Sequence, residues 1–139
     1  MKKIFFIIII FFYTISSVQA NESMFIRVET DTYLNKLIWE KRPIVIFADS
    51  PNDVNFKLQI KMLKKNINDL KERDIVVFTD TNPEISSKLR NKLRPRGFTL
   101  IIIGKDGEVK LRKPFPWKIR EITRVIDKMP IRMQEMNSN

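Results

Sequence analysis

Three polar residues that could take part in catalysis follow a long apolar run. Asp49, Ser50 and Asp53 come directly after Ile44–Ala48, whose mostly β-branched and aromatic side chains predict a strand covered on both faces. The carboxylate at position 49 could act as a general base, and the hydroxyl at position 50 as a nucleophile. Asp49 and Asp53 are equally suited to cap the helix that follows, and we favour this structural role.

Two residue types with broad chemical use are absent from the chain. Its 139 residues include neither cysteine nor histidine. Disulfides, thiol chemistry, thiolate zinc sites and histidine-dependent nucleophilic catalysis are therefore excluded. Only a lysine or a carboxylate could activate Ser50, so we expect no enzymatic function, no cofactor and no metal site.

Positive charge is concentrated in the C-terminal half of the chain. The formal net charge is +10, and residues 88–132 carry 14 basic and 4 acidic side chains, against 10 basic and 11 acidic in residues 21–87. This asymmetry predicts a basic face that binds an anionic polymer or a membrane surface, with a solvated face that maintains solubility as the alternative. The predicted anion-binding residues are Arg94, Arg96, Lys105, Lys110, Arg112, Lys118 and Arg132.

The first 20 residues have the pattern of a secretory signal peptide. Two lysines precede an apolar run that begins at Ile4, and Val18-Gln19-Ala20 is a suitable cleavage site. The apolar stretch is shorter than the roughly 20 residues needed to span a bilayer. We therefore predict cleavage near Ala20 and export, either periplasmic or secreted, with retention as an anchor as the alternative.

Hydrophobic spacing predicts one domain at 34–130, after a lead-in at 21–33 and before a C-terminal tail at 131–139. The predicted strands are Ile44–Ala48, Asp74–Asp80, Phe98–Ile103 and Glu108–Lys113, and the predicted helices are Thr32–Trp39, Phe56–Leu70, Pro83–Leu93 and Trp117–Lys128. Two strand–helix–strand crossovers imply three parallel-type strands, and the Asp106-Gly107 turn adds an antiparallel hairpin edge strand. The predicted fold class is α/β, a three-layer α/β/α sandwich around a central mixed sheet.

This order of elements resembles the thioredoxin fold, in which a buried strand leads into a Cys-x-x-Cys redox motif at the start of a helix. The two cysteine positions fall near Pro51 and Val54, and the cis-proline of that family corresponds to Phe98. The resemblance therefore marks Asp49, Ser50, Pro51, Val54 and Phe98 as a degenerate redox site. Thiol-disulfide exchange is excluded because the chain has no thiol.

A closer resemblance covers residues 34–136. It is carried by Trp39 with Arg42, Arg73-Asp74, Gly104-Lys105-Asp106-Gly107 followed by Lys110 and Arg112, and Asp127 with Met129-Pro130-Ile131-Arg132 and Glu135-Met136. These segments are similar to a thioredoxin-like, cysteine-poor family of domains of unknown function, found in exported bacterial proteins and in animal extracellular-matrix proteins with sushi repeats. The resemblance implies the fold and export, and it implies no particular reaction.

Together these features predict an exported, redox-inactive binding module, whose basic face spans the hairpin and the last helix and binds anionic envelope or matrix components. Nucleic acid is the least favoured anion, because the chain is predicted to be exported and shows no helix-turn-helix and no aromatic stacking platform. Trp39 and Trp117 are expected to pack in the core or at its rim. The sequence indicates no particular oligomeric state.

Two alternative functions stay open at this point. The first is a hydrolase-like enzyme that uses Asp49 and Ser50. The second is an adaptor that binds a protein partner through its edge strand or through a Met-rich tail, which contains Met129, Met133 and Met136.

Overall fold

Five strands form one mixed sheet in the computed structural model, which describes residues 24–139. The strands are β1 (Phe25–Arg27), β2 (Arg42–Phe47), β3 (Ile75–Asp80), β4 (Thr99–Ile103) and β5 (Val109–Lys113), in the spatial order β1-β3-β2-β4-β5. Strands β1, β3 and β2 are parallel to one another, whereas β4 runs antiparallel to both β2 and β5. The predicted signal segment at 1–20 lies outside the described residues.

Helices cover both faces of this sheet, which confirms the predicted α/β class. They are α1 (Val54–Lys64), α2 (Ile67–Glu72), α3 (Lys88–Leu93), α4 (Ile119–Asp127) and α5 (Pro130–Asn137), with short 3-10 turns at Asn35–Leu37 and Pro83–Ile85. Helices α1, α2 and α4 pack on one face through Leu63, Leu70 and Ile122, and α3 packs on the other through Leu89 and Leu93. Within residues 24–139, no helix is long and apolar enough to cross a membrane.

The apolar patterning of each strand agrees with its place in the sheet. Every residue of the central strands β2 and β4 is buried, as their continuous apolar runs predict. The edge strand β5 alternates from Leu111 onward, with Leu111 packed against the core and Arg112 exposed on the opposite face, while a register shift between Ile102 and Ile103 leaves the exposed Lys110 unpaired in the ladder. Gly107 closes the β4–β5 turn with a φ of +82°, a conformation that glycine adopts without steric cost.

The direction predicted for the third strand is wrong, since β4 is antiparallel to β2 and Thr99 is paired with Phe47. Arg90 of α3 donates hydrogen bonds to the carbonyls of Ala48 and Asp80, which lie at the ends of β2 and β3, and so holds the connecting segment at that end of the sheet. The chain therefore re-enters the sheet at the edge where β3 ends, and β4 runs back along β2.

Several element boundaries also differ from the prediction. The lead-in contains strand β1, and the C-terminal tail forms helix α5, where Pro130 occupies the first turn and does not terminate the preceding helix. The helix predicted over Phe56–Leu70 is interrupted at Asn66, whose side chain donates a hydrogen bond to the carbonyl of Met62. Of the predicted first helix, the structure forms only the 3-10 turn.

Candidate functional site

The loop after β2 occupies the position of the degenerate redox site. Asp53 caps helix α1 by accepting a hydrogen bond from the Phe56 backbone N–H at 2.9 Å, and Val54 is the first helical residue. The Ser50 hydroxyl accepts a hydrogen bond from the Asn52 backbone N–H at 3.1 Å. Within the described residues, Ser50 forms no hydrogen bond with a side-chain base. This loop is therefore built as a helix cap and a turn.

An open cleft of about 780 Å³ lies at the C-terminal ends of β1, β2 and β3. One of its sides is lined by Asp49, Ser50 and Pro51. Carboxylates outnumber cations among its lining residues, which include Arg27, Glu29, Asp31, Asp49, Asp80 and Glu84. Phe98 lies elsewhere: it is buried in the core below α1 and α4, and every peptide bond in residues 24–139 is trans. The acidic lining disfavours anions here, and no three His, Cys, Asp or Glu side chains in this part of the chain are placed to hold a metal ion.

A buried ion pair lies beneath this cleft and was not predicted from the sequence. Arg90 donates to both carboxylate oxygens of Asp80, at 2.9 and 3.3 Å, and to the backbone carbonyls of Ala48 and Asp80 at 3.0 Å. Ser87 donates to the same carboxylate at 2.7 Å and also caps α3. The signal available in the sequence was an aspartate at a strand end, followed by a helix that begins with Ser87 and carries Arg90 in its first turn.

Two of the seven predicted anion-binding residues are buried and already paired. Lys105 donates to Asp74 at 2.8 Å and to Glu135 at 2.6 Å, and only 9% of its surface is exposed. Arg132 lies within 3.3 Å of both Asp127 and Glu72 and is 6% exposed. Their charges are neutralised inside the protein, so neither residue belongs to a face that could bind an external anion.

The remaining five predicted residues lie on different faces of the sheet. Arg112 shares a register position with Ile101, on the side covered by α3, whereas Lys118 precedes α4 on the opposite side. Lys110 is exposed but paired with Asp106 at 2.6 Å and Glu108 at 3.3 Å. A single basic face that spans the hairpin and the last helix, as predicted, is therefore not formed.

Four exposed cations do gather around the C-terminal end of α3, and we call them the α3–β5 patch. Arg112 donates a hydrogen bond to the Leu93 carbonyl at 2.6 Å, which brings β5 against the end of this helix. Cations are favoured there because the helix dipole is negative at its C-terminus. No carboxylate of residues 24–139 lies within ion-pair distance of the patch residues. They are Lys92, Arg94, Arg96 and Arg112.

A network of buried cations lies at the other end of the sheet, where β2 and β3 begin. Arg42, which is 1% exposed, forms two hydrogen bonds of 3.1 Å with the Glu135 carboxylate of helix α5. Arg73 forms a similar pair with Asp127 of helix α4, at 2.8 and 2.9 Å. Together with Lys105 and Arg132, these residues attach both C-terminal helices to the sheet, and their ionic groups serve the fold.

The network lowers the pKa values of two of its carboxylates, Asp127 and Glu135. The hydrogen bonds from Arg73 are the largest influence on Asp127 and hold its pKa below the ordinary value. Burial by itself would raise the pKa of Glu135, but hydrogen bonds from Arg42 and Lys105 outweigh it and lower the pKa. Both carboxylates therefore stay ionised to a lower pH in the folded chain than in the unfolded chain.

Acid is accordingly expected to destabilise the fold. The stabilisation from Asp127 and Glu135 is complete above their unfolded pKa values of about 4, and it is lost as the pH falls through the lower pKa values of the folded state. The chain has no histidine, so no side chain with an ordinary pKa titrates between about pH 5 and 8. We expect the free energy of unfolding in urea to be level across that range and to fall below about pH 4. The fall should be smaller in Asp127→Asn, and an unchanged pH slope in that variant would contradict this assignment.

The exposed apolar residues differ in part from expectation. Trp117 packs against the core, and its backbone N–H donates to the buried Gln59 side chain at 2.7 Å. Trp39 instead is 67% exposed, because its φ of +69° and a hydrogen bond of its backbone N–H to the Lys105 carbonyl direct it away from the core. In the Met-rich tail, Met129 packs against the core, while Met133 and Met136 are exposed.

Solved structures of thioredoxin-fold proteins are similar to most of this chain. A reduced 2-Cys peroxiredoxin of Plasmodium vivax has a TM-score of 0.56 at 13% identity, over 76% of this chain and 85% of its own. Chloroplastic thioredoxin z has a TM-score of 0.54 at 26% identity, over 74% and 94%. The mitochondrial 2-Cys peroxiredoxin of Plasmodium falciparum has a TM-score of 0.51 at 20% identity, over 76% and 84%. These likenesses establish a thioredoxin-like fold and carry no activity to a chain without cysteine.

Sequence comparison gives the family but no described relative. No curated protein matches the chain. Residues 33–135 match a family described as a domain of unknown function, DUF4174, and this match spans well over half of the chain and includes the Arg42–Glu135 and Asp80–Arg90 ion pairs. The protein thus belongs to the DUF4174 family and has a thioredoxin-like fold.

Proposed function

We propose that this protein is an exported, non-catalytic binding module that holds an anionic polymer of the cell envelope or matrix against the α3–β5 patch. Export is inferred from the signal-peptide pattern of residues 1–20. The absence of cysteine excludes the redox chemistry of the thioredoxin-like proteins that share the fold. In this proposal the thioredoxin-like fold holds the exposed cations of the α3–β5 patch in place for binding.

One observation carries the proposal: the α3–β5 patch is exposed and has no carboxylate nearby. The chain from Ile85 to Lys105 contains no acidic residue. The other three cations of this stretch are paired: Lys88 with Asp31, Arg90 with Asp80, and Lys105 with Asp74 and Glu135. Lys92, Arg94 and Arg96 project from a short helix and the turn after it, where a flexible polyanion can reach several of them at once.

The test is a titration of the purified protein with long-chain inorganic polyphosphate at several salt concentrations. We expect affinity to fall steeply with salt, because binding releases counterions from the polymer. Arg94→Gln/Arg96→Gln should bind about tenfold more weakly, as expected if each exposed cation contributes about 0.7 kcal/mol. Lys36→Gln/Lys41→Gln is the matched control, because it removes two exposed lysines that do not belong to the patch.

Lys110→Gln provides a second control on the same hairpin. Asp106 and Glu108 already hold this ammonium group, so its removal should change polyphosphate affinity by less than about twofold. Equal losses in Arg94→Gln/Arg96→Gln and Lys36→Gln/Lys41→Gln would show that net charge alone is responsible, and the α3–β5 patch would be rejected as the binding site.

The hydrolase-like alternative has less support in the structure. Ser50 accepts a backbone hydrogen bond at the cleft, and Asp53 is used as a helix cap. A serine nucleophile needs a base within hydrogen-bonding reach of its hydroxyl. The arrangement at this loop therefore favours a binding function over catalysis.

A further inference from the structure

Helix α1 carries a second basic surface, separate from the α3–β5 patch. Lys57, Lys61 and Lys64 are spaced by four and three residues and so share one face of the helix, and Lys65 extends this face at its end. All four lysines are exposed. We call them the lysine stripe. No acidic residue occurs between Val54 and Lys65, and no carboxylate of residues 24–139 lies within ion-pair distance of the stripe.

The orientation of α1 is fixed by the side chains on its opposite face. Leu63 is fully buried in the core, and Gln59 is fully buried while it forms two hydrogen bonds with the backbone of Trp117, at 2.7 and 3.0 Å. These contacts hold the lysine stripe toward solvent. The stripe projects from the sheet face covered by α1, α2 and α4, whereas the α3–β5 patch lies on the other face.

Apolar side chains accompany the lysine stripe. Val54 and Leu58 are 78% and 47% exposed on the same helix. Phe56 and Ile60 line a shallow apolar groove that the four lysines border. Cations mixed with exposed apolar groups are typical of surfaces that rest in the headgroup layer of a bilayer. A dissolved polyanion is charged and hydrated, so binding it would not require exposed apolar side chains.

The described chain begins beside this same surface. Phe25 lies under Lys64, with the ammonium nitrogen 5.6 Å from the ring centroid, and Met24 packs against the same core. The apolar run of the predicted signal segment ends at Ile15. Only residues 16–23 separate the end of this run from Met24, where the described chain begins. Eight residues reach at most about 28 Å. Until cleavage near Ala20, this tether therefore keeps the start of the described chain, and the lysine stripe beside it, within reach of the membrane that holds the apolar run.

We propose that the lysine stripe docks this domain on an anionic lipid bilayer, and that α1 lies along the headgroup layer. This surface is distinct from the one proposed to bind polymer, and the two lie on opposite faces of the sheet. The protein could therefore rest on a membrane while the α3–β5 patch stays open to a polymer. The two proposals fail independently, because different variants test them.

The test uses the full chain, whose lack of native cysteine permits single-site labelling. One form carries an environment-sensitive dye on Val54→Cys, at the start of α1. The matched form carries it on Asn35→Cys, which is exposed on the 3-10 turn whose leucines pack on the opposite sheet face. Each is reconstituted with vesicles of phosphatidylglycerol and phosphatidylcholine, or of phosphatidylcholine alone, that contain nitroxide-labelled headgroups.

In anionic vesicles we expect the dye at position 54 to be quenched at least threefold more than the dye at position 35. The ratio of quenching at position 54 to quenching at position 35 should fall to about one in neutral vesicles, because their headgroups carry no net charge to attract the lysine stripe. It should also fall to about one in anionic vesicles when Lys57→Gln/Lys61→Gln/Lys64→Gln is added. The control Lys92→Gln/Arg94→Gln/Arg96→Gln removes the same number of charges from the other sheet face and should leave the ratio unchanged.

Equal quenching at the two positions in anionic vesicles would overturn the proposal. So would a quenching ratio that the triple glutamine variant of the stripe does not change. A response of the position-54 dye to dissolved polyphosphate, with none to anionic vesicles, would assign the stripe to a polymer and also reject bilayer docking. The single-cysteine forms keep all four lysines, so the first comparison holds even if the triple variant folds poorly.

Discussion

Glu135→Gln is expected to destabilise the protein by about 3 kcal/mol, as measured by urea denaturation near neutral pH. The Glu135 carboxylate accepts two hydrogen bonds from Arg42 and one from Lys105. In the variant, Lys105 keeps Asp74, but the guanidinium of Arg42, 1% exposed, loses its counterion and keeps as acceptors the Arg73 carbonyl at 2.9 Å and at most the single amide oxygen of the glutamine. A buried cation without a counterion is costly because the solvation it lost is no longer offset. This loss is a large fraction of the roughly 5–15 kcal/mol that stabilises a typical domain.

Glu108→Gln is the matched control for this experiment. It removes the same chemical group from a pair with Lys110 in which the carboxylate is 76% exposed. Water replaces the contact with Lys110 there, so the free energy of unfolding should fall by less than about 1 kcal/mol. Equal losses in the two variants would contradict a structural role for the Arg42–Glu135 pair. Adding Arg42→Met to Glu135→Gln should recover part of the stability, because it removes the unpaired charge.

The second large effect is expected for Arg90→Met. The Asp80 side chain is fully buried, and Arg90 provides its only counterion within residues 24–139. The variant leaves the carboxylate with the Ser87 hydroxyl and the Asn82 backbone N–H as donors, and it leaves the Ala48 carbonyl without the Arg90 donor. Methionine retains apolar contact with Phe47, whose ring lies 5.2 Å from the guanidinium carbon. We expect a loss of about 3–5 kcal/mol in the free energy of unfolding at pH 7.

Arg124→Met is the comparison for Arg90→Met, since Arg124 forms a half-exposed pair with Glu121 at 3.6 Å. The loss in the free energy of unfolding for Arg124→Met should stay below about 1 kcal/mol. The double variant Asp80→Asn/Arg90→Met should be more stable than Arg90→Met alone, because it no longer buries an uncompensated charge. If Arg90→Met unfolds at the same urea concentration as Arg124→Met, Arg90 does not hold the ends of β2 and β3 together.

These two ion pairs change how the basic composition is interpreted. Arg42, Arg73, Arg90, Lys105 and Arg132 all neutralise carboxylates that attach helices or strand ends to one another. A protein without cysteine has no disulfides to staple its elements. Buried ionic contacts here fix the C-terminal helices on the sheet. The charge available to partners is what remains exposed, and it includes the α3–β5 patch and the lysine stripe.

The composition of the surface could be predicted from the sequence only in part. The excess of positive charge in residues 88–132 was evident, but nothing in the spacing showed that Lys105 and Arg132 point inward. Each neutralises carboxylates distant in the chain, such as Asp74 for Lys105 and Glu72 for Arg132. A contact between residues 31 or 60 positions apart depends on how elements pack, which local patterns do not encode.

The sequence by itself determined the buried strands, the helix that follows Asp53, the hairpin at Gly107 and the exclusion of thiol chemistry. These follow from residue type and from spacing over a few residues, because burial of apolar side chains and turn geometry act locally. Only the tertiary structure decided the direction of β4, the incorporation of β1 and α5, and the division of the cations between buried pairs and the exposed surface. The reason is physical: the direction of β4 depends on where the segment after β3 is held against the sheet, and the environment of a charge depends on which distant carboxylate the fold brings to it.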